Sequence, residues 1–242
     1  MFGKAWKILL AIYAISSIKT LPLAYVARFY LSVFRNLILP KSKYHKGNNK
    51  NSYGITTEKK GDLAIFTPVS YSSYVSPLEY DMFLHKSNST YFADLDMSRT
   101  KLLCQVLQKG FYSYMDNEYN DFKKKSISNI PFIPVARVEC TFKKELKLFE
   151  SYEVVSRIGA WDDKWLYVIS KFVKSHGKGK RVVCIAITRY VFKTGRMTIP
   201  PKTMVERSGL LTKEAEAQNE EYLKLFTHYA STEQFEELVD TF

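Results

Sequence analysis

Residues 75–99 read VSPLEYDMFLHKSNSTYFADLDMSR, and the rest of the chain is organised around this stretch. Acids stand at alternate positions, Glu79 and Asp81, in a segment that reads as extended chain, where alternate side chains point the same way. His85, Asn88 and Tyr91 follow Asp81 by four, seven and ten residues. A helical pattern then opens, with Phe92, Leu95, Leu102, Leu103, Val106 and Leu107 at spacings of three and four. Asn88 and Ser89 stand where N-cap side chains accept from the first free N–H groups, and Gly110 offers a C-cap. The spacing therefore predicts a helix over 88–110. A carboxylate at a strand end beside a helix N-terminus suits the polarisation of a carbonyl and the activation of water.

Strand-like segments lie on both sides of this helix. LAIFTPVSY and SYVSPLEY precede it, with Pro68 and Pro77 suited to edges or bulges. After a charged stretch over 115–129 that reads as a surface loop, PVARVECTFK alternates Ala136, Val138, Cys140 and Phe142 with polar neighbours. YEVVSRIGAW, KWLYVISKFV and RVVCIAITRYVF make three more strands, joined by turns at Asp162-Asp163 and HGKGK. One long helix followed by an antiparallel meander is α+β in outline. Residues 194–209, with two prolines, read as a loop. Short helices are predicted over 212–227, capped by Thr212, and over 232–239, where Ser231 and Gln234 form a capping box.

The run Glu79-x-Asp81-x3-His85-x2-Asn88-x2-Tyr91, with Asp94, Asp96 and Arg99 behind it, resembles the opening of hotdog-fold acyl-CoA thioesterases of the 4-hydroxybenzoyl-CoA thioesterase type. Within that type it is most similar to the thioesterase-superfamily-member-six group. IGAWDDKWLYVISKFV, residues 158–173, looks like that group's hairpin and following strand. The resemblance spans roughly residues 63–192 and implies an antiparallel sheet wrapped around one long central helix, with two such domains paired as a homodimer. It also implies acyl-CoA or a related thioester as substrate. Two positions depart from the pattern: Leu84 stands for a glycine before the His, and Ser87 for the first of two asparagines.

The charge is unevenly spread. Of 36 Lys and Arg, nine lie in residues 1–57, which contain no acid. The remainder carries 27 basic and 24 acidic residues, a near balance that disfavours a nucleic-acid partner despite the overall +12. Residues 8–27 hold a single charge, Lys19, and residues 24–39 read as an amphipathic helix with Arg28, Ser32, Arg35 and Asn36 on its polar face. Residues 1–40 are accordingly expected to anchor the protein to a membrane, mitochondrial or endoplasmic reticulum, or to target it there as a cleaved presequence. A helix packed on the folded domain is the remaining alternative. Residues 41–57 read as a basic polar linker, and 58–242 as the thioesterase-like domain.

The resemblance implies Asp81 as nucleophile or general base, with His85 and Asp94 as further catalytic candidates. Glu79, Asn88 and Tyr91 are candidates for contacts with substrate. Asp96 and Arg99, three apart, are expected to form an ion pair. Cys104, Cys140 and Cys184 are too dispersed for a zinc or redox motif, and no metal or cofactor is expected. The competing functions are a non-catalytic acyl-CoA or lipid binder and an interaction scaffold.

Overall fold

A computed structural model describes residues 2–177 and 179–226. The N-terminal arm consists of α1 (Phe2–Ser17) and α2 (Ala24–Val33), which runs on into a wider turn over Phe34–Ile38. Two short helices follow, α3 (Lys41–Lys46) and α4 (Thr57–Lys60). Strand β1 (Val69–Tyr74) leads through the 75–90 turns to α5 (Tyr91–Val106) and α6 (Gln108–Met115). Four strands then follow: β2 (Val135–Phe142), β3 (Ser151–Trp161), β4 (Leu166–His176) and β5 (Gly179–Tyr190). With β1 they form one antiparallel sheet in the order β1-β3-β4-β5-β2. The described residues end with a hairpin, β6 (Phe192–Thr194) and β7 (Met197–Ile199), then α7 (Pro201–Arg207) and α8 (Lys213–Lys224).

The three long strands match the sequence expectation because their alternation fits a sheet with one face on a helix. Val154, Ser156 and Ile158 of β3 and Val168, Ser170 and Phe172 of β4 are buried. Ser98 of α5 joins that face through a ladder of hydroxyls, Ser98 Oγ to Ser156 Oγ at 2.8 Å and on to Ser170 Oγ at 2.7 Å. Tyr167, Ile169 and Ile187 point to the opposite face, where Tyr222 and Phe226 cover them. Thr212 caps α8 as expected, its Oγ1 accepting from the Ala215 N–H. The helix expected over 232–239, with Ser231 and Gln234, lies outside the described residues.

Several expectations are corrected. The single helix is two, broken at Leu107, and Gly110 lies inside α6 rather than at a C-cap. Its bare Cα allows α7 to approach: an added Cβ would sit 2.6 Å from Ser208 Oγ and 3.0 Å from the Met204 carbonyl oxygen. Neither Asn88 nor Ser89 caps α5 with its side chain; a short 3-10 turn, Asn88–Thr90, precedes it. Phe92 is 40% exposed, off the apolar stripe. Residues 63–80 hold one strand rather than two, since Ala64–Phe66 is a 3-10 turn and Glu79 N–H donates to Ser76 O. The expected loop over 194–209 contains half a hairpin and α7, because Pro201 at the first helical turn starts a helix at no hydrogen-bond cost. The stretch 41–57 is not a free linker: Tyr44 and Ile55 are buried in the main core.

Gly110→Val should therefore cost about 1–3 kcal/mol by overpacking the α6–α7 contact, read as a lowered midpoint of urea unfolding. A variant as stable as the parent would mean that the contact opens without strain.

Candidate active site

The 75–91 segment folds as two tight turns that separate its two acids. Ser76 N–H donates to Glu79 Oε2 at 2.8 Å and turns that carboxylate inward. Two residues on, Asp81 Oδ1 accepts from the Phe83 N–H at 2.9 Å, and Asp81 N–H donates to His85 O. Tyr80 and Lys86 pair across this small hairpin. Glu79 and Asp81 therefore do not point the same way: the chain turns between them, and alternation holds only along a strand. Leu84 closes the turn at φ +59, so the chain keeps the left-handed shape a glycine would adopt freely and pays with a strained, 66% exposed leucine.

Asp81, His85, Asn88 and Tyr91 come together around one open groove of about 520 Å3, rimmed further by Phe142, Lys143, Lys144 and Glu145. Tyr91 is buried beneath it, its ring packed on Phe142 and Phe172. Burial holds its phenol proton well above the ordinary range. The N–H groups of Asn88 and Ser89 have no hydrogen-bond acceptor among the described residues and stand at the positive end of α5.

Glu79 and Asp94 lie behind this groove in a buried ionic cluster. Asp94, expected on the polar face of its helix, is fully buried because the arm covers it. Lys86 Nζ spans the two acids, 2.8 Å from Glu79 Oε1 and 3.0 Å from Asp94 Oδ2. The arm adds Lys19, 2.7 Å from Glu79 Oε2, and Arg28, 3.0 Å from Asp94 Oδ1. Tyr152 OH donates to Asp94 Oδ2 at 2.6 Å, and Ser73 Oγ to Oδ1 at 3.1 Å. Burial by itself would raise the Asp94 pKa; Lys86, Lys19, the Tyr152 hydroxyl and Arg28 outweigh it and hold the carboxyl well below the usual range. Burial lowers the Lys19 pKa, against the pull of Asp94. Sequence reasoning missed Lys86, Lys19, Arg28 and Tyr152 in this cluster. The one available signal was a lone lysine in an otherwise uncharged stretch of twenty residues.

Comparison with known proteins assigns the family. Residues 75–229 match the Thioesterase-like superfamily. The chain is 42% identical over 219 residues to the probable thioesterase YBR096W of Saccharomyces cerevisiae, covering 90% of this chain and 86% of that one. The chain belongs to the thioesterase-like superfamily. Its antiparallel sheet over a helix is the hotdog fold. Protein THEM6 of Xenopus laevis is 27% identical over 104 residues, 43% of this chain and 44% of its own. A crystal structure of a 4-hydroxybenzoyl CoA thioesterase variant with 4-hydroxybenzoyl CoA matches 58% of this chain and 98% of its own, at 12% identity and a TM-score of 0.45.

The Asp96–Arg99 ion pair forms, with Arg99 almost fully buried and also donating to Thr188. The cysteines are free thiols. Register sets Cys140 opposite Ala186 and Cys184 opposite Phe142, which makes Cys140 and Cys184 diagonal neighbours on one face. Their separation in sequence gave no sign of this.

A carboxylate whose pKa is depressed in the folded chain contributes stability that is present above its unfolded value, about 4, and is lost as pH falls through the folded value. Asp94→Asn leaves Lys86 and Lys19 to share Glu79, takes the carboxylate from Arg28, and should cost about 3 kcal/mol or more near neutral pH. The gap between parent and variant in urea unfolding should narrow as pH drops below about 4. A gap constant down to strong acid would show that Asp94 is not the charged hub of the cluster.

Proposed function

We propose that this protein is an acyl-CoA thioesterase that works as a homodimer on a membrane surface. One observation carries the chemistry: Asp81, His85 and Asn88 meet at one groove, beside two unpaired N–H groups at the entry to α5. Asp81 keeps one carboxylate oxygen for the reaction while the Phe83 N–H steadies the other. Acting as base, it takes a proton from water as the water oxygen adds to the thioester carbonyl carbon. The Asn88 and Ser89 N–H groups stabilise the oxyanion. Collapse breaks the C–S bond, the thiolate leaves and takes up a proton, and the free acid is the second product. Lys143 and Lys144 on the rim suit the phosphates of coenzyme A. Asp94 is a positioning residue in this scheme, since no solvent reaches it and donors occupy both its oxygens.

The membrane reading rests on how the arm is turned. Arg28 of α2 and Asn36 of the turn after it lean on the domain; Arg28 meets Asp94, and Asn36 accepts from Gln105 at 2.8 Å. The outward residues include Val26, Tyr30, Leu31 and Phe34, with the exposed Arg35 beside them. Along α1, Trp6, Ile8, Leu9, Ile12 and Ile15 are exposed, a surface that water does not favour and a bilayer interface does. Among the described residues no single helix is long and apolar enough to cross a membrane; Lys4–Thr20 and Ala24–Lys46 together have the length and composition, bent by 59°. Lying on the surface suits that bend. Lys19 and Arg28 in the buried cluster count against a presequence that is cut away beyond them. The exposed edge of β2 suits pairing with a second copy. The membrane is mitochondrial or endoplasmic reticulum in this reading.

Asp81→Asn should lower kcat on acyl-CoA by about a hundredfold or more, with unfolding close to that of the parent. Full activity in the variant would remove Asp81 from the mechanism; a parent inactive on every acyl-CoA tested would favour the non-catalytic binder. For the membrane, a deletion of residues 1–40 would also tear out the cluster, so the cleaner test stays within α1. Ile8→Asp, Ile12→Asp and Ile15→Asp together should release the protein from liposomes in a flotation assay. Continued flotation of the triple variant would rule out α1 as the anchor.

A further inference from the structure

A second cavity, of about 370 Å3, lies away from the Asp81 groove, between the arm and the central helix. Tyr25, Phe29, Val33 and Leu37 form one wall. Their spacing of four stacks them along one face of the arm helix, over about 18 Å. Leu103, Cys104 and Phe111 face them, and Phe132 stands at the mouth, 72% exposed. The one carboxylate and the one thiol of the wall are accounted for, and Thr100 and Tyr190 add neutral hydroxyls. Asp96 is held by Arg99 and by the Tyr25 hydroxyl at 2.9 Å, and burial pushes the Cys104 thiol up to about 12, which keeps it neutral. The cavity thus offers a mainly apolar lining of small-molecule size with no unpaired charge, which suits hydrocarbon.

We infer that this arm-walled cavity holds the hydrocarbon tail of the acyl group, and that Phe29 and Val33 set which chain lengths fit. The inference rests on the acyl-thioester reading of the Asp81 groove. Groove and cavity lie at opposite ends of β2: Phe142 and Lys143 line the first, Phe132 and Val135 the second. Within one protomer the strand separates them by roughly 23 Å. A two-fold pair joined along the β2 edges runs the second copy antiparallel and brings its cavity to the first copy's groove. Each complete site then takes its carboxylate from one copy and its tail pocket from the arm of the other. The tail enters from the lipid side, since the outward face of the same arm helix is apolar.

The tail site is tested on the full chain, without chemistry, by fluorescence of bound dansyl-undecanoate and its displacement by decanoate, laurate and palmitate. The parent should bind. Val33→Trp fills the middle of the cavity and should weaken binding by about tenfold or more, the weight of roughly two buried methylenes. Phe29→Ala should shift the preference toward palmitate. If Val33→Trp does not fold, Thr100→Met narrows the cavity from the α5 side and reads the same effect. No binding by the parent, or unchanged binding in a folded narrowing variant, overturns the inference. Weakened binding with no hydrolysis of any acyl-CoA upholds the tail site while the thioesterase reading falls. Hydrolysis with an unchanged chain-length profile does the reverse. Co-expressing Asp81→Asn and Val33→Trp chains should raise palmitoyl-CoA hydrolysis above the level of either variant alone, because one of the two mixed sites is intact. No such rise overturns the sharing of the site between protomers.

Discussion

A single buried carboxylate ties the molecule together. Asp94 has no exposed surface, and it is kept charged by donors from four places: the arm, the 75–90 turns, β1 and β3. The desolvation of such a charge is severe, and only near-complete coordination offsets it. Lys86, Arg28, Ser73 and Tyr152 supply that coordination from segments far apart in sequence, so each is committed to one geometry by the same oxygen atoms. Glu79 extends the cluster by holding Lys19 and Lys86. The turn that carries Lys86 also carries Asp81 and His85 on its outer side. The position of the groove thus follows from the position of the cluster.

The arm is bound to the domain both by polar groups, Arg28 and Asn36, and by Leu37, which is buried in the main core. On an ordinary surface helix the apolar stripe faces the core and charges face water. Here α2 and the turn after it divide their apolar residues in two: Phe29, Val33 and Leu37 line the cavity, while Tyr30, Leu31 and Phe34 look out. Charge neutralisation explains the inward-facing cations, because the two acids under the arm need cations that the domain supplies only once, in Lys86. The arm's composition, nine basic residues and no acid over residues 1–57, serves that need as well as any attraction to lipid.

The turn at residues 81–85 shows how a departure from a family pattern can leave shape intact. Leu84 adopts the left-handed conformation that glycine favours, at a cost of roughly 1–2 kcal/mol, and its side chain projects into solvent where nothing clashes. The hydrogen bonds on either side, Leu84 N–H to Asp81 O and Asp81 N–H to His85 O, hold it there. Backbone shape at the groove is preserved, and the substitution changes only what stands beside it.

Much of the fold was legible in the sequence because it rests on local periodicity. The long strands β3, β4 and β5 and the onset of α5 show their burial in every second or every third and fourth residue, and Thr212 announces α8 by its own side chain. The gathering of Asp81, His85, Asn88 and Tyr91 was legible too, since they belong to one short turn. Tertiary structure alone decided the rest. Lys19 and Arg28 lie more than fifty residues from the carboxylates they hold, and Asp94 looks solvated on a helical wheel until the arm covers it. Gly110 reads as a helix end until α7 packs on it, and Pro200-Pro201 reads as a loop until the core accepts Met204 and Val205. Periodicity records which face of an element is buried, but the partner that buries it is set by long-range packing and by the demand of a buried charge for counter-charges.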